Sequence, residues 1–72
     1  MKRYLLDTGI AGDVVYRRGP VARRAKEARD AGGIVGIATP VLAELLFGAE
    51  YSHAPHESRT CIMRAVAKWP VW

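Results

Sequence analysis

Two short apolar runs, Tyr4-Leu5-Leu6 and Ile34-Val35-Gly36-Ile37-Ala38, each lead straight into a helix start, and a helical stretch lies between them. No other feature constrains the fold more. Apolar residues at consecutive positions suit buried strands of a parallel sheet. The second run is also rich in β-branched residues, which fit a pleated surface. Strands alternating with helices imply an α/β fold on a parallel sheet.

The helices follow from punctuation. Thr8 is placed to cap a first helix over Ile10–Tyr16, because its hydroxyl can accept an early backbone N–H. Arg17-Arg18-Gly19-Pro20 ends that helix, since glycine permits a left-handed residue and proline cannot continue a helix. Pro20 then suits the first turn of a second helix reaching about Ala31, with Val21, Ala25 and Ala28 on one side. Gly32-Gly33 closes it. Thr39-Pro40 reads as a cap followed by a first-turn proline, opening a third helix over Pro40–Tyr51. Val41, Leu42, Ala43, Leu45, Leu46, Phe47 and Ala49 make this helix apolar around most of its circumference, which predicts burial. Ser52–Pro55 is a loop. Glu57–Trp69 reads as a fourth helix with Ile62, Ala65, Val66 and Trp69 on one face. Pro70-Val71-Trp72 looks like the start of a third strand.

The whole chain, 1–72, is one domain at most. A chain of this size buries only ~60% of its unfolded surface and is marginal without a staple. The one cysteine, Cys61, excludes an intrachain disulfide and a thiolate metal cluster. Half of the residues are apolar, a core-forming composition. No apolar run approaches the ~20 residues that span a bilayer. Asp7 also breaks the run after Lys2-Arg3 before it can serve as a signal peptide. These features predict a soluble, cytoplasmic protein with no membrane contact.

Two carboxylates stand out by position. Asp7 closes the first strand, and ligands of open α/β sheets bind at the carboxyl ends of strands. Glu44 falls inside the apolar third helix, with Val41, Phe47 and Gly48 as helical neighbours. A buried carboxylate there needs a partner, a proton or a metal. If the strands are neighbours, both acids approach one edge of the sheet. Paired carboxylates suit Mg²⁺ or Mn²⁺, which take oxygen ligands, keep waters and accept substrate phosphates. Such an ion activates water and stabilises a phosphodiester's leaving oxygen. Each acid alone has a plainer alternative: a helix cap for Asp7, and an arginine-paired residue at the helix rim for Glu44.

The net charge is +4, and Arg17, Arg18, Arg23, Arg24, Lys26 and Arg29 crowd into one stretch. Such a face can neutralise phosphates, although a solvated helix face has the same composition. Arg17, Arg18, Arg23 and Arg24 are the candidate RNA contacts.

Taken together, "YLLDT" and "GIATPVLAELLFGAEYS" resemble the first and second acidic motifs of the PIN domain family, specifically the VapC-type toxins of bacterial toxin–antitoxin pairs. The likeness runs from Tyr4 to about Trp72. It implies a PIN-like parallel sheet flanked by helices, with about three strands and about four helices here. It also implies an endoribonuclease dependent on Mg²⁺ or Mn²⁺, with Asp7 and Glu44 as catalytic metal ligands and Thr8 as a supporting hydroxyl. RNA would be the substrate, a cognate VapB-like antitoxin the partner, and a homodimer the assembly. Two departures follow from the same pattern. Gly9 stands where the family usually has Asn, and outer-shell losses of this kind weaken metal binding by ~10–100-fold. The family's remaining acids belong to a C-terminal half without counterpart in this chain. The expectation is therefore a truncated copy with weak or no activity. The alternative is an inactive fragment that binds an antitoxin or a PIN subunit.

The remaining chemistry-bearing residues read plainly. His53 and His56 are expected to be solvent-exposed loop residues, and Cys61 a small core or semi-exposed residue. Trp69 and Trp72 are expected to pack under the sheet, here or in a full-length ancestor, and not to stack on bases. The glycines of "AGGIVGIA" do not follow a dinucleotide-binding spacing.

Overall fold

Parallel pairing of two short strands organises the chain. The computed structural model describes residues 2–72. Its elements, in order, are β1 (Arg3–Leu6), α1 (Thr8–Val15), α2 (Val21–Asp30), β2 (Ile34–Ile37), α3 (Thr39–Glu50) and α4 (Pro55–Val66). β1 and β2 pair in parallel, with Arg3 opposite Ile34 and Leu6 opposite Ile37. The predicted α/β class and parallel sheet are both present.

The third strand is present as a single parallel bridge between Ile37 and Val71. Ile37 N–H donates to the Pro70 oxygen at 3.1 Å, and Trp72 N–H donates to the Ile37 oxygen at 2.8 Å. Both backbone groups of Ile37 therefore face this segment, so β2 lies between β1 and residues 70–72. That central place explains the burial of Val35, Gly36 and Ile37.

β1 departs from the expected buried strand. Tyr4 and Leu5 are exposed and Leu6 is only half-buried. The cause is position: β1 is an edge strand, and an apolar run does not reveal whether helices cover both of its faces.

The core comprises Ala11 and Val15 of α1, Ile37, Leu45 and Ala49 of α3, Ile62 of α4, and Trp69. Ile37 and Ile62 are fully enclosed. The stripe predicted on α2 holds, with Ala25 buried and Val21 and Ala28 half-buried. The predicted face of α4 also holds, although the helix starts earlier, at Pro55, and stops at Val66. Trp69 packs beyond its end. Trp72 does not pack under the sheet as expected but remains 46% exposed.

Two helix starts differ from the reading above. Asp7 caps α1, its Oδ1 accepting the Ile10 N–H at 2.9 Å, and Thr8 is instead the first helical residue. Thr39 does not cap α3. The cap is Ala38, with no side-chain bond, and the Thr39 hydroxyl donates to the Trp72 backbone oxygen at 3.1 Å. The hydroxyl thus ties the C-terminal segment to the start of α3.

The end of α1 also departs from the glycine expected there. Arg17, at φ 54°, takes the left-handed position. Arg18 N–H donates to the Asp13 oxygen at 2.8 Å and Arg17 N–H to the Val14 oxygen at 3.3 Å. This is the Schellman pattern, and it turns the chain sharply back after α1.

Candidate functional site

Asp7 stands at the carboxyl-terminal edge of the sheet, from which the Glu44-bearing helix also departs. Asp7 follows Leu6 directly, Leu6 stands in register with Ile37, and α3 begins two residues later. Asp7 and α3 therefore leave the sheet on the same side, from neighbouring strands. Glu44 lies on the second turn of α3.

Between α1 and α3 lies an open cleft of ≈ 470 Å³, whose walls include Thr8, Gly9, Gly12, Arg18, Glu44 and Ser52. Thr8 and Glu44 thus share one cleft. Asp7 is not one of its lining residues; it stands adjacent, at the strand end. Glycines at positions 9 and 12, one turn apart on α1, and Gly48, one turn beyond Glu44, leave these helix faces bare. That spacing was the available signal for the cleft. Ser52 and Ser58, whose hydroxyls lie 2.9 Å apart in the same wall, offered none.

Glu44 is exposed, not buried as predicted. α3 packs on α1 and α4, through Leu45 and Ala49, and its other side is uncovered. Phe47 and Tyr51 lie on that open side, 66% and 77% exposed, with ring centroids 5.0 Å apart. Glu44 needs no buried partner and has no ion pair among the described residues.

The donor chemistry suits a hard cation. Asp7 uses Oδ1 for the helix cap and keeps its second oxygen free of any side-chain or backbone donor among the described residues. Glu44 keeps both. Asp7, Thr8 and Glu44 each offer only oxygen donors, the type that Mg²⁺ and Mn²⁺ accept. Among the described residues, no group of three or more His, Cys, Asp or Glu side chains lies close enough to hold a metal.

The basic stretch divides. All four candidate RNA contacts are exposed, Arg23 and Arg24 on the first turn of α2 and Arg17 and Arg18 in the turn before it. Arg18 alone of the candidate RNA contacts lines the cleft. His53 and His56 are exposed as expected, with His56 in the first turn of α4, and Cys61 is half-buried. No helix among the described residues is long and apolar enough to cross a membrane.

No protein-family model and no curated protein matches the sequence. Among solved structures, the chain is similar to one in the crystal structure of VapBC2 from Rickettsia felis bound to a DNA fragment from their promoter. The TM-score is 0.85, the sequence identity 17%, and the match covers 97% of this chain and 53% of that one. The two chains share a fold. This chain spans about half the length of that neighbour, and its two parallel strands and four helices are a small α/β arrangement of the same kind.

Proposed function

We propose that this chain is a PIN-type, VapC-like toxin component, built to cleave RNA with Mg²⁺ or Mn²⁺ held by Asp7 and Glu44 beside Thr8. One observation carries the reading: neighbouring parallel strands deliver Asp7 and the Glu44-bearing helix to the same sheet edge. The likeness to a chain of a VapBC2 complex supports a toxin–antitoxin role. With that role come a VapB-like antitoxin as partner, a homodimer as assembly and the cytoplasm as setting. When bound, the cation would activate water and stabilise the leaving oxygen of a phosphodiester.

A second reading has its own support. A cation gripped here would rest on two carboxylates, because the described residues include no larger ligand cluster. On this reading the chain is a binding module that captures the antitoxin or a PIN subunit without cutting RNA.

Calorimetric titration with Mn²⁺, paired with an RNA-cleavage assay in Mg²⁺, separates them. Asp7→Asn is the informative variant, since Asn caps a helix about as well as Asp and so removes the charge while sparing α1. Asp7→Asn and Glu44→Gln are each expected to weaken Mn²⁺ binding by about tenfold or more. Cleavage lost in both variants supports the nuclease. Metal affinity unchanged in both would overturn the site, and antitoxin binding without cleavage would favour the module.

Gly9→Asn tests the outer shell. A Cβ on Gly9 would stand 3.7 Å from Asp7 Oδ1, ordinary contact that leaves the cap in place. Restoring the amide found in the family pattern is expected to tighten Mn²⁺ binding by about tenfold. An unaltered isotherm would mean that the amide does not support the ligand.

A further inference from the structure

Arg18, although its side chain is 62% exposed, makes contacts that direct it toward the cleft. The left-handed Arg17 folds the chain back over α1, and the Arg18 backbone is pinned to Asp13. Its side chain is then held at two more points. Nε donates to Asp13 Oδ1 at 3.1 Å, and the guanidinium lies 5.2 Å from the Tyr16 ring centroid. Nη2 passes over Gly12, where an added Cβ would come within 3.3 Å of it. The bare helix face at Gly12 is the seat that lets this side chain line the cleft.

We propose that Arg18 is the phosphate anchor of the cleft, gripping one phosphodiester of a polynucleotide next to the acid edge. This inference rests on the nucleic-acid reading above and adds to it the residue that positions the substrate. Asp13 occupies only Nε, so the outer edge of the planar fork remains available for a bidentate phosphate contact. The exposed ion pair and the Tyr16 ring bias the guanidinium toward this orientation, which lowers part of the ordering cost of binding. A cleft of ≈ 470 Å³ has room for a phosphate with its sugar. Arg23 and Arg24 lie outside the cleft and serve at most as long-range attraction.

The test uses the full chain and short fluorescent single-stranded RNA and DNA oligonucleotides of one sequence, in EDTA, over a salt series. Arg18→Ala is expected to weaken binding about tenfold and to lower the salt slope by about 0.7, the signature of one lost phosphate contact. Arg18→Lys keeps the charge but loses the fork and the ring contact, and is expected to fall between Arg18→Ala and the parent. Gly12→Ala, which displaces the Arg18 tip by a few tenths of an ångström, is expected to lose less affinity than Arg18→Ala does. Arg64→Ala, on α4 outside the cleft, removes the same charge and is expected to leave the slope unchanged. Circular dichroism confirms folding, and if Gly12→Ala fails to fold, Arg18→Lys carries the comparison. Equal effects on RNA and DNA support a phosphate contact. Affinity and slope unchanged in Arg18→Ala, or matched by Arg64→Ala, would overturn the proposal. Because no metal is present, an Arg18 effect persists even if Asp7 and Glu44 prove not to bind Mn²⁺, so the two claims fail separately.

Discussion

Gly36→Ala is expected to strip residues 70–72 from the sheet and lower the melting midpoint by roughly 12–24 °C. Gly36 is buried in the central strand, and a Cβ there would collide with the Pro70 backbone oxygen. It would also stand 2.9 Å from Pro70 Cγ and 3.3 Å from the Pro70 carbonyl carbon. Backbone cannot swing aside as a long side chain can, so the segment must leave. It takes with it the bridge bonds of Ile37 to Pro70 and Trp72 and the Thr39 N–H bond to the Trp72 oxygen. At about 1 kcal/mol each, these bonds are worth about 3 kcal/mol. A domain of this length has only about 4–11 kcal/mol of stability in total. Thermal unfolding followed by circular dichroism gives the size of the effect. Hydrogen exchange gives its place: the Ile37 amide should lose protection before the β1–β2 amides do. Deleting Pro70–Trp72 should reproduce the shift, and adding Gly36→Ala to the deletion should change little more. A Gly36→Ala protein that melts with the parent would show that the segment does not pack against this strand.

The same strand shows what a sequence can and cannot convey. Its β-branched run marked β2 as buried, and the spacing of Val21, Ala25 and Ala28 marked the inner side of α2, because both signals are local periodicities. The exposure of Glu44 has a physical cause that composition does not carry. α3 is apolar on most of its circumference, so its composition does not say which side goes uncovered. That depends on where α1 and α4 pack, and the answer leaves Glu44, Phe47 and Tyr51 in the open. The cap of α1 was ambiguous because Asp7 and Thr8 are adjacent and both residue types cap well. Thr39 reads as a cap by its neighbours, yet its hydroxyl is spent on Trp72, 33 positions away, a contact with no local signature. Arg18 belongs to the candidate site through a left-handed Arg17, where propensity points to glycine. The placement of Asp7 at a strand end next to the Glu44-bearing helix was legible, since topology follows from element order. The cleft that Glu44 shares with Thr8 and Arg18 has a sequence signal only in the glycines at 9, 12 and 48, because which side chains wall it depends on how the helices pack.

Ile62→Ala is expected to cost about 3–4 kcal/mol, a large part of what holds the domain together. Ile62 is fully enclosed and is the only fully buried residue that α4 contributes to the core. Around it, Cys61, Ala65 and Val66 are only half-buried. Truncation therefore leaves a cavity where α4 is most deeply inserted, inside the cluster of Ile37, Leu45, Ala49 and Trp69. The consequence reaches the cleft, because Ser58 of α4 meets Ser52 in its wall. Denaturant unfolding should show a lower midpoint, and a hydrophobic dye should report looser packing at denaturant concentrations where the parent remains closed. Met63→Ala is the matched comparison. Met63 is the next residue on the helix and 56% exposed, so its loss should stay within about 0.5 kcal/mol. If the two variants unfolded alike, α4 would not be anchored through Ile62, and the cleft wall it supplies would need another support.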